Sequence, residues 1–218
     1  MSLDFIVSLT NYSPYQSIRS SVLKSKCGTF TVCLHQYLKI TMTQPIRHST
    51  LYVQVLRFLQ GIGRDGAGRT LEQILSNDDT WFENQHDFVQ WLFPSTRASD
   101  YNSHAPVLTI AELGQLGADE QARKGLSNAY ARMLRFLGLQ VSGVEITEAP
   151  NPSPWVLGPA WMRRRDHNDL RITRMLECLH HAGLAAEAMA LLAFLERRFS
   201  TAAFKAESLS YWQAAVRQ

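Results

Sequence analysis

The strongest constraint on the fold is a run of apolar residues, between Asp119 and Gly138, that recur every three or four positions. This spacing places the apolar side chains on one face of an α-helix. Asp119 and Glu120 suit the first turn, because acidic side chains complement the positive end of the helix dipole, and Gly138 suits the end. The buried face comprises Leu126, Ala129, Tyr130, Met133, Leu134 and Leu137. The pattern predicts a long amphipathic helix.

The same spacing recurs from Ser49 onward, whereas the alternation typical of strands is nearly absent and is best at 139–146. Thr109 and Glu112 have the spacing of a capping box, and the short helix that they begin is expected to end by Gly117. Further helices are predicted at 51–60, 70–75, 172–182, 184–199 and 203–216. We therefore predict an all-α fold, a single compact multi-helix domain with a Pro-rich connection at 150–159.

Composition divides the chain at Met42. Apolar residues make up 45% of the 218 residues and charged residues 19%, which fits a chain with a sizeable core and excludes wholesale disorder. No apolar run reaches about 18 residues, so no transmembrane segment is predicted. Residues 1–41 carry the whole net charge of +3, with four basic residues against one acidic residue. The other 177 residues hold 18 of each sign, so no nucleic-acid partner is expected.

Three interpretations of residues 1–41 remain open. The segment is Ser-rich, basic and poor in acidic residues, as targeting peptides are. It equally fits an unstructured, disordered leader, or translated upstream sequence if the native start is Met42. The predicted domain is residues 42–218, whose one cysteine is Cys178. Because no disulfide framework is possible within that domain, a reducing compartment, the cytoplasm, is expected.

Two short strings resemble the signatures of a known family. They are His-Asp-Phe-Val-Gln-Trp-Leu-Phe-Pro at 86–94 and His-Asn-Asp-Leu-Arg-Ile-Thr-Arg at 167–174. Together with Asn102 and the flanking segments 68–71 and 133–138, they are similar to the conserved domain of the opioid growth factor receptor family. The resemblance covers residues 52–199 and rests on two separate signatures in the right order.

The resemblance implies a receptor-like module that binds a peptide or protein, and neither a cofactor nor a catalytic residue is predicted. Animal members are named for binding an enkephalin-type opioid peptide, and they associate with nuclear and perinuclear membranes. A nuclear or peripheral membrane-associated location is therefore the alternative to a cytoplasmic one. Animal members also carry long extensions after this domain, so we expect this chain to be the short, stand-alone form.

The first signature offers half of a candidate polar pocket. His86 and Gln90 are four residues apart, so on a helix they share one face, with Asp87 beside them. Trp91 and the neighbouring aromatic residues would supply an apolar wall for a ligand. The alternative is a helix start in which His86 and Asp87 hydrogen-bond to backbone groups.

The second signature offers the other half of the candidate polar pocket. His167, Arg171 and Arg174 share one helical face, and two arginines suit a carboxylate or phosphate. The alternative is a set of structural bridges to acidic residues of a neighbouring helix. Asn168 falls on the buried side and needs hydrogen-bond partners there. The candidate ligand-binding residues are His86, Asp87, Gln90, Trp91, Asn102, His167, Asn168, Arg171 and Arg174.

Three functions remain open at this point. The first is a peptide-binding groove, in which an enkephalin-like ligand places its aromatic end in an apolar pocket and its carboxylate on an arginine. The second is an uncharacterised enzyme or metal-binding protein that uses His86, His167 and Arg171. The third is a purely structural helical scaffold. No metal site is predicted, because the adjacent His180 and His181 point to different helix faces and lack further ligands at metal-binding spacing.

Overall fold

The computed structural model describes residues 49–99, 101–150, 167–200, 202 and 205–217, all within one compact unit, residues 47–218. The leader at 1–41 and the Pro-rich connection beyond Pro150 lie outside the described residues. The helices are α1 (Thr50–Leu59), α2 (Leu71–Leu75), α3 (Asp79–Asn84), α4 (Val89–Leu92), α5 (Ile110–Ala118), α6 (Glu120–Phe136), α7 (His167–His181), α8 (Ala185–Phe199) and α9 (Ala206–Ala215). Two strands, β1 (Leu139–Ser142) and β2 (Glu145–Glu148), lie between α6 and α7.

The helix starts follow from short polar side chains that satisfy free backbone N–H groups. Ser49 Oγ accepts from the Tyr52 amide at 3.0 Å, and Asp119 accepts from the Ala122 amide at 2.8 Å. The predicted capping box of Thr109 and Glu112 is present. Each such cap stabilises a helix by about 1 kcal/mol. The long helix predicted from apolar spacing is confirmed as α6.

The hairpin corrects the all-α prediction, since the protein is mostly helical and not wholly so. Strands β1 and β2 pair antiparallel with Val141 opposite Ile146, around a turn in which Gly143 has a φ of 66°. Leu139 and Ile146 are buried, and most other strand residues are exposed. Four-residue strands with so few inward-facing residues are too short to display a convincing alternation.

Helix α7 is buried on most of its circumference. It packs against α5, α8 and α9. Its buried residues include both apolar and charged side chains: Asn168, Asp169, Arg171, Ile172, Met175, Leu176, Glu177, Cys178 and Leu179. The second signature therefore lies in the interior of the domain, and its buried charges need partners from neighbouring segments.

Helix α5 runs past Gly114 and ends at Ala118, one residue beyond the predicted end at Gly117. Gly117 permits close packing, because a Cβ atom there would overlap the carbonyl group of Ala182 after α7. At Gly114 the nearest group is the His181 carbonyl oxygen, at the ordinary contact distance of 3.8 Å. The two glycines differ in function although they sit one turn apart.

This difference predicts opposite effects for two matched substitutions. Gly117→Ala should lower the free energy of unfolding by about 2 kcal/mol, because the backbone of 182 must move to admit the methyl group. Gly114→Ala should raise it by about 0.5 kcal/mol or more, because alanine is the better helix former. Urea unfolding followed by circular dichroism measures both. Equal effects of the two substitutions would contradict the close packing.

Candidate functional site

The two signatures meet at the side chain of Arg171, which is 5% exposed. One terminal nitrogen, Nη1, donates to the Phe82 carbonyl at 2.9 Å and to Asn168 Oδ1 at 3.0 Å. The other, Nη2, donates to the Gln85 carbonyl at 2.6 Å and lies 3.0 Å from His86 Nδ1. We call these five residues the Arg171 clasp. A guanidinium satisfies carbonyl groups that the end of α3 leaves without helical partners.

Above the clasp, two histidine rings reach the surface. His86 and His167 stand edge to face, with ring centroids 5.0 Å apart and an interplanar angle of 83°. Glu83 joins them to the clasp, since its carboxylate lies 3.3 Å from His167 Nε2 and accepts from Asn168 Nδ2 at 3.3 Å. His86 and His167 are exposed and Asn168 is buried with partners, as the helical pattern of α7 requires for that position.

Burial and neighbouring charges lower the pKa of His86. Partial burial lowers the pKa of His86 below its ordinary value of 6.5, the positive charge of Arg171 and the ring of His167 lower it further, and Glu83 and Asp87 oppose the shift. A neutral ring whose proton is on Nε2 accepts the Arg171 N–H through Nδ1. A charged ring has no such acceptor.

This pKa shift predicts how stability depends on pH. Because the folded-state pKa is lowered, the unfolded chain binds a proton at His86 first as the pH falls. The free energy of unfolding should therefore be highest above pH 6.5 and fall as the pH drops towards the folded pKa. Burial and His180 also lower the pKa of His181, which adds a contribution of the same sign.

His86→Asn is the control for this prediction, because asparagine Oδ1 takes the place of histidine Nδ1 as the acceptor for Arg171 and does not titrate. Urea unfolding between pH 7.5 and 5.5 should show a shallower loss of stability in His86→Asn than in the wild type. The same pH dependence in both proteins would contradict the assignment of a neutral, accepting His86.

Gln90 and Trp91 lie in the core instead of beside the histidines. Trp91 is 6% exposed and packs edge to face on Phe58, with centroids 5.8 Å apart. His86 precedes α4, so it does not share a helix face with Gln90 as the spacing predicted. Gln90 is 8% exposed, and within the described part of the chain its Oε1 has no hydrogen-bond partner. Neither side chain is open to a ligand in this structure.

Asp87 and Asn102 each organise a loop. Asp87 pairs with Arg69 at 3.0 Å, and Arg69 also pairs with the buried Asp65. Asn102 closes a turn, since its Oδ1 accepts from the His104 amide at 3.0 Å. The clasp contains three of the predicted residues, His86, Asn168 and Arg171, and His167 lies against it through the His86 ring and Glu83, while the other predicted residues serve separate contacts.

Arg174 lies beside a buried carboxylate that the sequence reasoning missed. Glu177 is 2% exposed and accepts from Ser95, from the backbone and hydroxyl of Thr96, and from Arg97 at 3.2 Å. Burial alone raises the pKa of Glu177, but the hydrogen bonds from Thr96, Arg97 and Ser95 outweigh it and lower the pKa overall. The spacing of Arg174 and Glu177, three apart on a predicted helix, was the available signal.

A second missed feature is the buried ion pair of Asp169 and Lys205. The Lys205 ammonium, 1% exposed, lies 2.7 and 2.8 Å from the two carboxylate oxygens. Ser208 also donates to the Asp169 carboxylate, at 2.7 Å, and Trp212 donates to the Asp169 carbonyl, at 3.1 Å. The contacts attach α9 to the start of α7. Nothing in the local sequence links positions 36 residues apart.

Among the described residues, no group of three or more His, Cys, Asp or Glu side chains is arranged to hold a metal ion. Burial raises the pKa of the Cys178 thiol, which favours its protonated and unreactive form. None of the described helices is both long enough and apolar enough to span a membrane.

The fold and the site define a class of protein: a mostly helical domain in which two polar segments, distant in sequence, are joined by one buried arginine. The sequence pattern of the opioid growth factor receptor (OGFr) conserved region matches residues 57–218. The chain belongs to this family.

Three relatives are moderately similar to this chain in sequence. The chain is 32% identical to the human opioid growth factor receptor over 178 residues, which are 77% of this chain and 25% of that protein. It is 35% identical to the mouse receptor over 123 residues, 54% of this chain and 19% of that one. It is 33% identical to opioid growth factor receptor-like protein 1 of Xenopus tropicalis over 121 residues, 53% of this chain and 23% of that one. The chain thus spans about a quarter or less of these relatives, and no solved structure matches it.

Proposed function

We propose that this chain is a peptide-binding module whose ligand is an enkephalin-like peptide, bound along the outer side of α7. The family and the names of the relatives, opioid growth factor receptors, support a peptide ligand. The observation that carries the location is a line of accessible side chains on a mostly buried helix. His167 and Leu170 are exposed and Arg174 is half-buried, at spacings of three and four residues that keep them on one face.

The side chains His167, Leu170 and Arg174, which we call the α7 line, suit a short peptide. The paired rings of His86 and His167 offer an edge-to-face surface for an aromatic side chain, and Leu170, 54% exposed, offers apolar area. The eight residues of helix from His167 to Arg174 are separated by seven rises of about 1.5 Å and so extend about 10 Å. Extended peptide rises about 3.3 Å per residue, so a segment of about three to four residues spans the line.

Calorimetry with an enkephalin pentapeptide tests the proposal. Binding is expected to the wild type, and Leu170→Glu should weaken it about tenfold or more, because it replaces apolar contact area with charge. Met189→Glu is the matched control, since Met189 is 51% exposed on α8 and is expected to leave binding unchanged. The absence of binding heat at millimolar peptide, or equal weakening by both substitutions, would contradict it.

A further inference from the structure

Two positively charged side chains, Arg97 and Arg174, lie beside the single buried carboxylate of Glu177 on α7. Three hydrogen bonds from Ser95 and Thr96 satisfy one oxygen of Glu177, and Arg97 satisfies the other. Glu177 thus accepts four hydrogen bonds, none of them from Arg174. Two guanidinium groups beside one carboxylate leave one positive charge in excess.

Arg174 uses little of its hydrogen-bonding capacity. A guanidinium has five N–H donors. Among the described residues, its one hydrogen bond runs to the Phe93 carbonyl at 3.5 Å, the outer limit for such a bond. Burial lowers the pKa of Arg174, and so does the charge of Arg97, while Glu177 and Cys178 raise it. Within the part of the chain that the structure describes, no Arg174 nitrogen is both buried and without a hydrogen-bond partner, so the unused donors are open to solvent and an incoming acceptor can reach them.

We propose that Arg97 and Arg174 form a subsite for the C-terminal carboxylate of a peptide ligand, an inference that rests on the peptide-binding function proposed above. The side chain of Arg97 is 58% exposed, so this end of α7 is accessible. Arginine and carboxylate form short, charge-assisted and often bidentate hydrogen bonds. The subsite lies at the opposite end of the α7 line from the histidine pair, which fixes the direction of the bound peptide.

The net charge of Arg97, Arg174 and Glu177 together favours a carboxylate over a phosphate as the ligand of the subsite. One excess positive charge matches a monoanion. A phosphate monoester carries a charge approaching −2 at neutral pH, and the second charge would meet the buried negative charge of Glu177. A peptide with a free C-terminus is thus distinguished from an amidated, extended or phosphorylated one.

Two forms of one peptide test the subsite. We expect the free-acid enkephalin pentapeptide to bind the wild type about tenfold more tightly than its C-terminal amide in calorimetry. Arg174→Gln should reduce this ratio to less than twofold. Arg123→Gln, which removes an equal charge from an exposed position on α6, should retain it. Because Arg174 is half-buried, Arg97→Gln serves as a second variant at an exposed side chain and should also shrink the ratio.

An NMR titration without peptide tests the carboxylate subsite independently of the proposed peptide-binding function. Sodium acetate and inorganic phosphate are titrated at constant ionic strength while the arginine Nε–H signals are followed by NMR. Shifts of the Arg97 and Arg174 signals at lower acetate than phosphate concentration support the subsite, even if no peptide binds and the proposed function fails. Equal affinity for acid and amide overturns the subsite and leaves the function intact. Tighter binding of phosphate, or no response of these arginines to either anion, overturns the carboxylate assignment.

Discussion

Replacing Asp169 by alanine is expected to lower the free energy of unfolding by about 4 kcal/mol. The substitution leaves the Lys205 ammonium, 1% exposed and held at 2.7 and 2.8 Å by both carboxylate oxygens, buried without its counter-charge. Breaking one half of a buried ion pair costs about 3–5 kcal/mol. Because small domains are stable by only about 5–15 kcal/mol, the loss is a large share of the total. Urea unfolding monitored by circular dichroism measures it.

The double variant Asp169→Leu/Lys205→Met removes both charges, so it tests whether the loss of stability comes from the uncompensated charge of Lys205. Replacing a buried ion pair by apolar groups of similar size is often neutral or stabilising, so the double variant should recover most of the loss. Ser208→Ala, which removes one hydrogen bond to the same carboxylate, should cost about 1 kcal/mol. A loss below about 1 kcal/mol for Asp169→Ala would show that the ion pair does not anchor α9.

Arg171→Ala is expected to cost about 3 kcal/mol, the second largest effect. The substitution removes the donors to the carbonyls of Phe82 and Gln85 and to the amide oxygen of Asn168. Buried acceptors left without a donor cost about 1–3 kcal/mol each, and partial access of water at Gln85, which is exposed, keeps the sum near the stated value. Urea unfolding measures the change in the free energy of unfolding, with the dependence of that free energy on urea concentration fitted separately for each variant.

Two controls make the Arg171 result specific. Arg171→Lys keeps the charge but should recover less than half of the loss, since an ammonium cannot reproduce the planar fork that reaches several acceptors at once. Arg135→Ala, at an exposed position in the last turn of α6, should change stability by less than about 0.5 kcal/mol. If Arg171→Ala behaves like Arg135→Ala, the clasp does not hold the two signatures together.

Local patterns predicted the long helices well, did not predict α3, and predicted the hairpin poorly. The periodicity of α6 and the capping pair of Thr109 and Glu112 are signals contained within one turn or one helix, so the sequence displays them directly. The close packing at Gly117 was not predictable, because a glycine that ends a helix and one that admits a neighbouring backbone look alike in sequence. Only the close approach of Ala182 distinguishes them.

For the site, helical geometry placed residues on faces but did not identify what packs on those faces. It predicted that Asn168 is buried and needs partners, and the structure supplies Arg171 and Glu83. The direction of Arg171 was not predictable, because it depends on how the residues after α3 pack against α7. Trp91 was assigned to a groove because aromatic density alone cannot separate a core position from a pocket.

The central claim is that a peptide binds along the outer side of α7, and an amide chemical-shift map tests it most directly. The isotope-labelled protein is titrated with the enkephalin pentapeptide. We expect the largest shifts at His86, His167, Leu170 and Arg174, with the hairpin β1–β2 unchanged. Shifts confined to the hairpin or to α9, or no shifts at millimolar peptide, would contradict the claim.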